Sequence, residues 1–153
     1  MYNLVLDFIE SKIEGFERPV IEFDNEFSYE PRTRVITVPL NYDKALEEHR
    51  WWKRFMMMYL IDEYDLCLSV TDDYIFSILH EIGHYITLEG IPADVIYIKY
   101  HEARKQMDQA KNAYDYNVQY RQISIERMAD LWAVNFIEEY PEVLNIGKKV
   151  LQY

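Results

Sequence analysis

The segment His80-Glu81-Ile82-Gly83-His84 constrains this chain more than any other. Its surroundings predict a helix. Thr71 is a suitable N-cap, Asp72 and Asp73 suit the first turn, and Gly90 followed by Pro92 ends the run. Residues four apart share a helix face, so His80 and His84 project together with Glu81 beside them. Ile75, Ile78, Leu79, Ile82 and Ile86 form the opposite, apolar stripe. Such a helix must lie between a hydrophobic core and a site.

Two neutral imidazoles one turn apart suit a zinc ion, and the intervening glutamate can take a proton from a water there. A catalytic zinc needs a third protein ligand. The best candidate lies downstream, in the run from Ile125 to Ala133. There Glu126, Asp130, Ala133 and Ile137 share one predicted helix face. An ordinary amphipathic helix with surface acids would also produce that pattern. Beside an HExxH segment the pattern points to a face that meets the metal helix. Glu126 then ligates, and the small Ala129 and Ala133 permit close approach. Asp130 accepts the second N–H of a ligating histidine.

HEIGH followed by Glu126, Ala129, Asp130, Trp132 and Ala133 resembles the gluzincin zinc peptidases. Within them it is most similar to the small ImmA/IrrE-like metallopeptidases, which share the glycine before the second histidine. The resemblance covers Thr71 to Pro141. It implies a zincin-like fold with His80, His84 and Glu126 as ligands of one Zn2+ per chain. It also implies Glu81 as general base and Asp130 in support of a ligand. An edge strand above the metal helix commonly pairs with substrate in such enzymes, and by resemblance residues 33–38 are its candidate. An ordinary sheet strand is the competing reading of that segment.

Length and composition set bounds. A chain of 153 residues, half of them hydrophobic, fits one domain with a core, residues 1–153. A net charge of −11 argues against nucleic acid and anionic membranes as partners. No apolar run is long enough to span a bilayer, and Asp7 and Glu10 interrupt the N-terminal apolar stretch. Cys67 is the only cysteine, which excludes an internal disulfide and predicts a small core residue. A cytoplasmic protein acting on a peptide or protein substrate is expected.

The remaining segments predict an α+β domain, a small antiparallel or mixed sheet packed on a helical bundle with the HExxH helix central. A packing helix is expected over 2–14. Residues 19–39 change to a period of two and predict a small antiparallel meander, clearest at Val35 to Val38. A long helix is expected over 43–64, with Ala45, Trp52, Phe55, Met56, Tyr59 and Leu60 on its apolar face and His49 partly exposed. Residues 66–70 form a connector or a last strand. Helices are expected over 94–112 and 121–140, with Tyr114, Tyr116 and Tyr120 holding the bend between them. Pro141 starts a short terminal helix. A phenol, imidazole or guanidinium near the zinc can steady an oxyanion, and Tyr116, Tyr120, His101 and Arg121 are the candidates. The expected activity is that of a zinc metalloendopeptidase, a hydrolase. The alternative is a zinc-binding regulatory protein of ImmA/IrrE-like type with little turnover.

Overall fold

The computed structural model describes residues 1–40, 50–107, 110 and 112–150. The chain is α+β and mostly helical, with seven α-helices and one three-stranded mixed sheet among the described residues. Helix α1 spans Tyr2–Lys12, and the strands follow as β1 Val20–Asp24, β2 Ser28–Glu30 and β3 Val35–Pro39. The remaining helices are α2 Arg50–Tyr64, α3 Val70–Thr87, α4 Ala93–Met107, α5 Ala113–Arg121 and α6 Ser124–Glu139. A 3₁₀ turn, Pro141–Val143, then leads into α7, Leu144–Val150. The expected start of the long helix, Ala45 and His49 lie outside the described residues, as does the side chain of Trp52. No described helix is long and apolar enough to cross a membrane.

Helix α3 carries the HExxH segment and packs against α6, α7, α2, β2 and β3. Its apolar stripe is the centre of the core: Ile75, Ile78, Leu79 and Ile82 are buried, while Ile86 is only partly covered. Val5 and Ile9 of α1, Ile36 and Val38 of β3, Tyr59 and Leu60 of α2, and Ala133 of α6 close around it. The N-cap is Ser69 rather than Thr71. The Ser69 hydroxyl accepts from the Asp72 N–H, and the Asp72 carboxylate accepts from the Ser69 N–H. This reciprocal pair satisfies two otherwise orphaned donors, whereas Thr71 as N-cap would have Tyr74 and no carboxylate three residues on.

The sheet is not a meander. Its order is β1-β3-β2, with β1 parallel to β3 and β2 antiparallel to it. β1 and β2 are therefore not joined as a hairpin. Phe27 packs edge-on against Tyr74 at 5.2 Å and Tyr29 stacks on His84 at 6.1 Å, which draws β2 over α3 and leaves β3 in the middle. Paired on both sides, β3 has no edge to offer, so residues 33–38 are not a substrate-pairing strand. Among the described residues, the strand next to the histidines that is paired on one side only is β2.

Two further expectations fail. The segment holding Tyr114, Tyr116 and Tyr120 is helix α5, started by Asn112, whose side chain accepts from the Asp115 N–H at 2.9 Å. Residues 66–69 form an irregular connector in which Leu68 is buried and Cys67 is exposed, so the cysteine is not a core residue.

Candidate metal centre

His80, Glu81 and His84 come from the C-terminal half of α3, and Glu126 and Asp130 from the first half of α6. All five are buried. The two helices approach closely because neither presents a bulky side chain at the crossing. Gly83 of α3 faces the backbone of Ala129 of α6, where an added Cβ would lie 2.7 Å from the Ala129 carbonyl oxygen. Gly83 sits between the two histidines, and Ala129 between the two acids. One small-residue contact thus sets the separation of both pairs.

Nitrogens of His80 and His84 and a carboxylate oxygen of Glu126 lie within 4.8 Å of one another, close enough to hold a metal ion. His80 Nε2 is 3.2 Å from Glu126 Oε2, and His84 Nε2 is 3.5 Å from Glu126 Oε1. On its other side, His80 Nδ1 is 3.0 Å from Asp130 Oδ1. An ionised carboxylate only accepts, so the Nδ1 proton is assigned to that contact. In the neutral ring the Nε2 lone pair then faces Glu126, another acceptor. Two lone pairs at that distance need a positive charge beside or between them, and the Arg121 guanidinium, 3.3 Å from Nε2 and 3.4 Å from Glu126 Oε2, lies beside both without filling the space between. Protonation is one way to provide it. Burial and the charge of Arg121 oppose protonation of His80, but Asp130 and Glu126 outweigh them and push its pKa up to about 9. A divalent cation in place of the proton serves the same need. The two imidazoles and one carboxylate suit zinc by donor type.

The acids respond to the same surroundings in opposite directions. Burial would raise the Glu126 pKa, yet hydrogen bonding from His80 and His84 holds it well below the usual carboxylate range. For Glu81, burial dominates and raises the pKa despite the two imidazoles. Glu126 therefore remains an anion, and Glu81 is the stronger base of the two.

The centre opens on a cavity of about 670 Å3 that runs between β2, α3 and the α4–α5 segment. His80, Glu81, His84 and Glu126 all line it. Of the residues proposed from the sequence to steady an oxyanion, His101, Tyr120 and Arg121 line this cavity. Tyr116 does not; it is 40% exposed and borders a separate surface hollow. Tyr100 was not anticipated. Its phenol donates to Glu126 Oε1, to which Tyr120 also donates at 3.1 Å. The available signal was a helical face, because Tyr97, Tyr100, His101 and Arg104 recur at the spacing of one side of α4 and all line the cavity.

The contact from Asp130 to His80 makes a prediction. Asp130→Asn is expected to weaken metal affinity by about 10–100-fold, because the ring loses the partner that fixes its tautomer and orientation. A competition titration against a chelator measures it. Wild-type affinity in a folded variant would show that the contact does not govern the site.

Comparison of the chain with protein-family models, curated proteins and solved structures returns no match.

Proposed function

We propose that the chain is a zinc-dependent metallopeptidase of zincin-like design that hydrolyses peptide bonds. The observation that carries this reading is the convergence of three buried donors, His80, His84 and Glu126, beside a buried glutamate, Glu81, in the wall of a single cavity. His80, His84 and Glu126 would hold the ion, with Asp130 orienting His80. Bound there, zinc supplies Lewis acidity, making a water easier to deprotonate and a carbonyl easier to attack.

The chain's own groups carry the protons. Glu81 takes one from the attacking water as the hydroxyl adds to the carbonyl carbon. It returns that proton to the nitrogen as the C–N bond breaks, so it ends as it began. Its raised pKa suits both halves of this exchange. Tyr100 and Tyr120 bring two phenol donors to the cavity wall next to Glu126, and Arg121 adds a guanidinium. In this reading these groups, rather than Tyr116, would meet negative charge building on the carbonyl oxygen. β2, paired on one side only among the described residues, borders the same cavity and would offer its unpaired backbone groups to an extended peptide.

The test combines metal content and turnover. Purified protein should carry one zinc per chain and cleave members of an unbiased peptide mixture, and a chelator should stop the cleavage. His80→Ala with His84→Ala should abolish zinc binding, because Glu126 alone is an incomplete site. Full-strength zinc binding by that double variant would rule the centre out.

A further inference from the structure

Arg121 is the only buried lysine or arginine among the described residues. It closes α5 and sends its guanidinium into the centre. One terminal nitrogen, Nη2, donates to Asp130 Oδ1 and lies 3.3 Å from His80 Nδ1. The other, Nη1, lies 3.4 Å from Glu126 Oε2 and 3.3 Å from His80 Nε2. Two of these partner groups, His80 Nε2 and the Glu126 carboxylate, belong to the set that would hold the metal.

An imidazole nitrogen has one in-plane lone pair, which can serve an N–H donor or an ion but not both. With the ring neutral at Nε2, the contact from Arg121 and a metal bond to that atom exclude each other, and Arg121 and the ion compete for the Glu126 carboxylate as well.

We infer that Arg121 is a positioning residue of the metal centre, bridging Glu126 and Asp130 while the centre is empty and releasing His80 and Glu126 when a divalent ion enters. The inference rests on the metal reading proposed above. Its contact with Asp130 does not compete with the metal and can persist, which keeps the arginine tethered. The metal-free chain gains a folded centre. In exchange, the ion is held less tightly than the three ligands alone would hold it.

The experiment uses the full chain, stripped by dialysis against a chelator. Zinc is titrated in competition with a chromophoric chelator, and melting is followed with and without zinc. Arg121→Met should bind zinc about 10–100-fold more tightly, the weight of one or two charge-assisted hydrogen bonds that no longer have to be broken. Its metal-free form should melt at a lower temperature, so the interval between empty and loaded protein widens. Arg121→Lys keeps the charge but loses the fork that bridges two carboxylates. It should show both effects in smaller measure, and it decides the matter if Arg121→Met does not fold. Equal or weaker zinc affinity in the deciding variant overturns the inference while leaving the metal reading intact. Zinc binding by the variants but not by the wild type supports it in its strongest form. Zinc binding by none of the three chains removes the metal reading and the competition together.

Discussion

Glu81→Gln is expected to keep zinc and lose turnover. The amide preserves the size of the side chain and its compatibility with the helix but cannot accept the proton that an attacking water must shed. His80, His84 and Glu126 are untouched, so zinc per chain should stay near the wild-type value. The cleavage rate should fall by at least about 10²–10⁴-fold, the usual contribution of a general acid–base group. Both measurements belong on one preparation. Loss of zinc would make Glu81 a ligand, and retained zinc with undiminished cleavage would sink the assignment of Glu81 as base. A zinc-loaded wild type that cleaves no peptide would instead favour the alternative of a zinc-binding regulatory protein.

The convergence of His80, His84 and Glu126 was legible in the sequence because both helices that carry them announce themselves by a period of 3.6 residues. On α3 the stripe of Ile75, Ile78, Leu79 and Ile82 fixes which way the histidines face, and all four are buried as that stripe requires. On α6, two acids and two alanines on one face make sense only against another backbone, and Ala129 lies against Gly83. The sheet was less legible. Its strands are only three to five residues long. Their pairing depends on contacts outside the sheet, chiefly Phe27 on Tyr74 and Tyr29 on His84, and no local pattern records these. Cys67 was misplaced for a similar reason: its neighbour Leu68 takes the buried position in the connector. Arg121 and Tyr120 stood among the candidates, but Tyr100 did not. Its contact with Glu126 arises from the way α4 folds back over the cavity, of which the shared helix face of Tyr97, Tyr100, His101 and Arg104 is the one trace in the sequence.

Gly83→Ala is expected to damage stability and metal binding together, although alanine is the better helix former. On an exposed helix the substitution would stabilise by up to about 1 kcal/mol. Here the new Cβ would sit 2.7 Å from the Ala129 carbonyl oxygen and 3.0 Å from its Cα. Overpacking of a tight interface costs about 1–3 kcal/mol, and a contact with backbone lies toward the upper end because no rotamer change relieves it. The clash therefore outweighs the gain in propensity, and α6 must move away from α3. That movement carries Glu126 away from His80 and His84, and Asp130 away from His80 Nδ1. Metal sites tolerate errors of only about 0.2 Å in ligand distance, so zinc affinity should fall even though no ligand has been changed. The melting temperature of the metal-free protein and the zinc affinity of the refilled protein should both drop. Adding Ala129→Gly should not rescue either one, because the collision is with the backbone of residue 129 and not with its methyl group. Wild-type melting and zinc affinity in Gly83→Ala would mean that the close approach of these helices does not set the ligand geometry. Rescue by Ala129→Gly would mean that the side chain, not the backbone, is what α3 rests on.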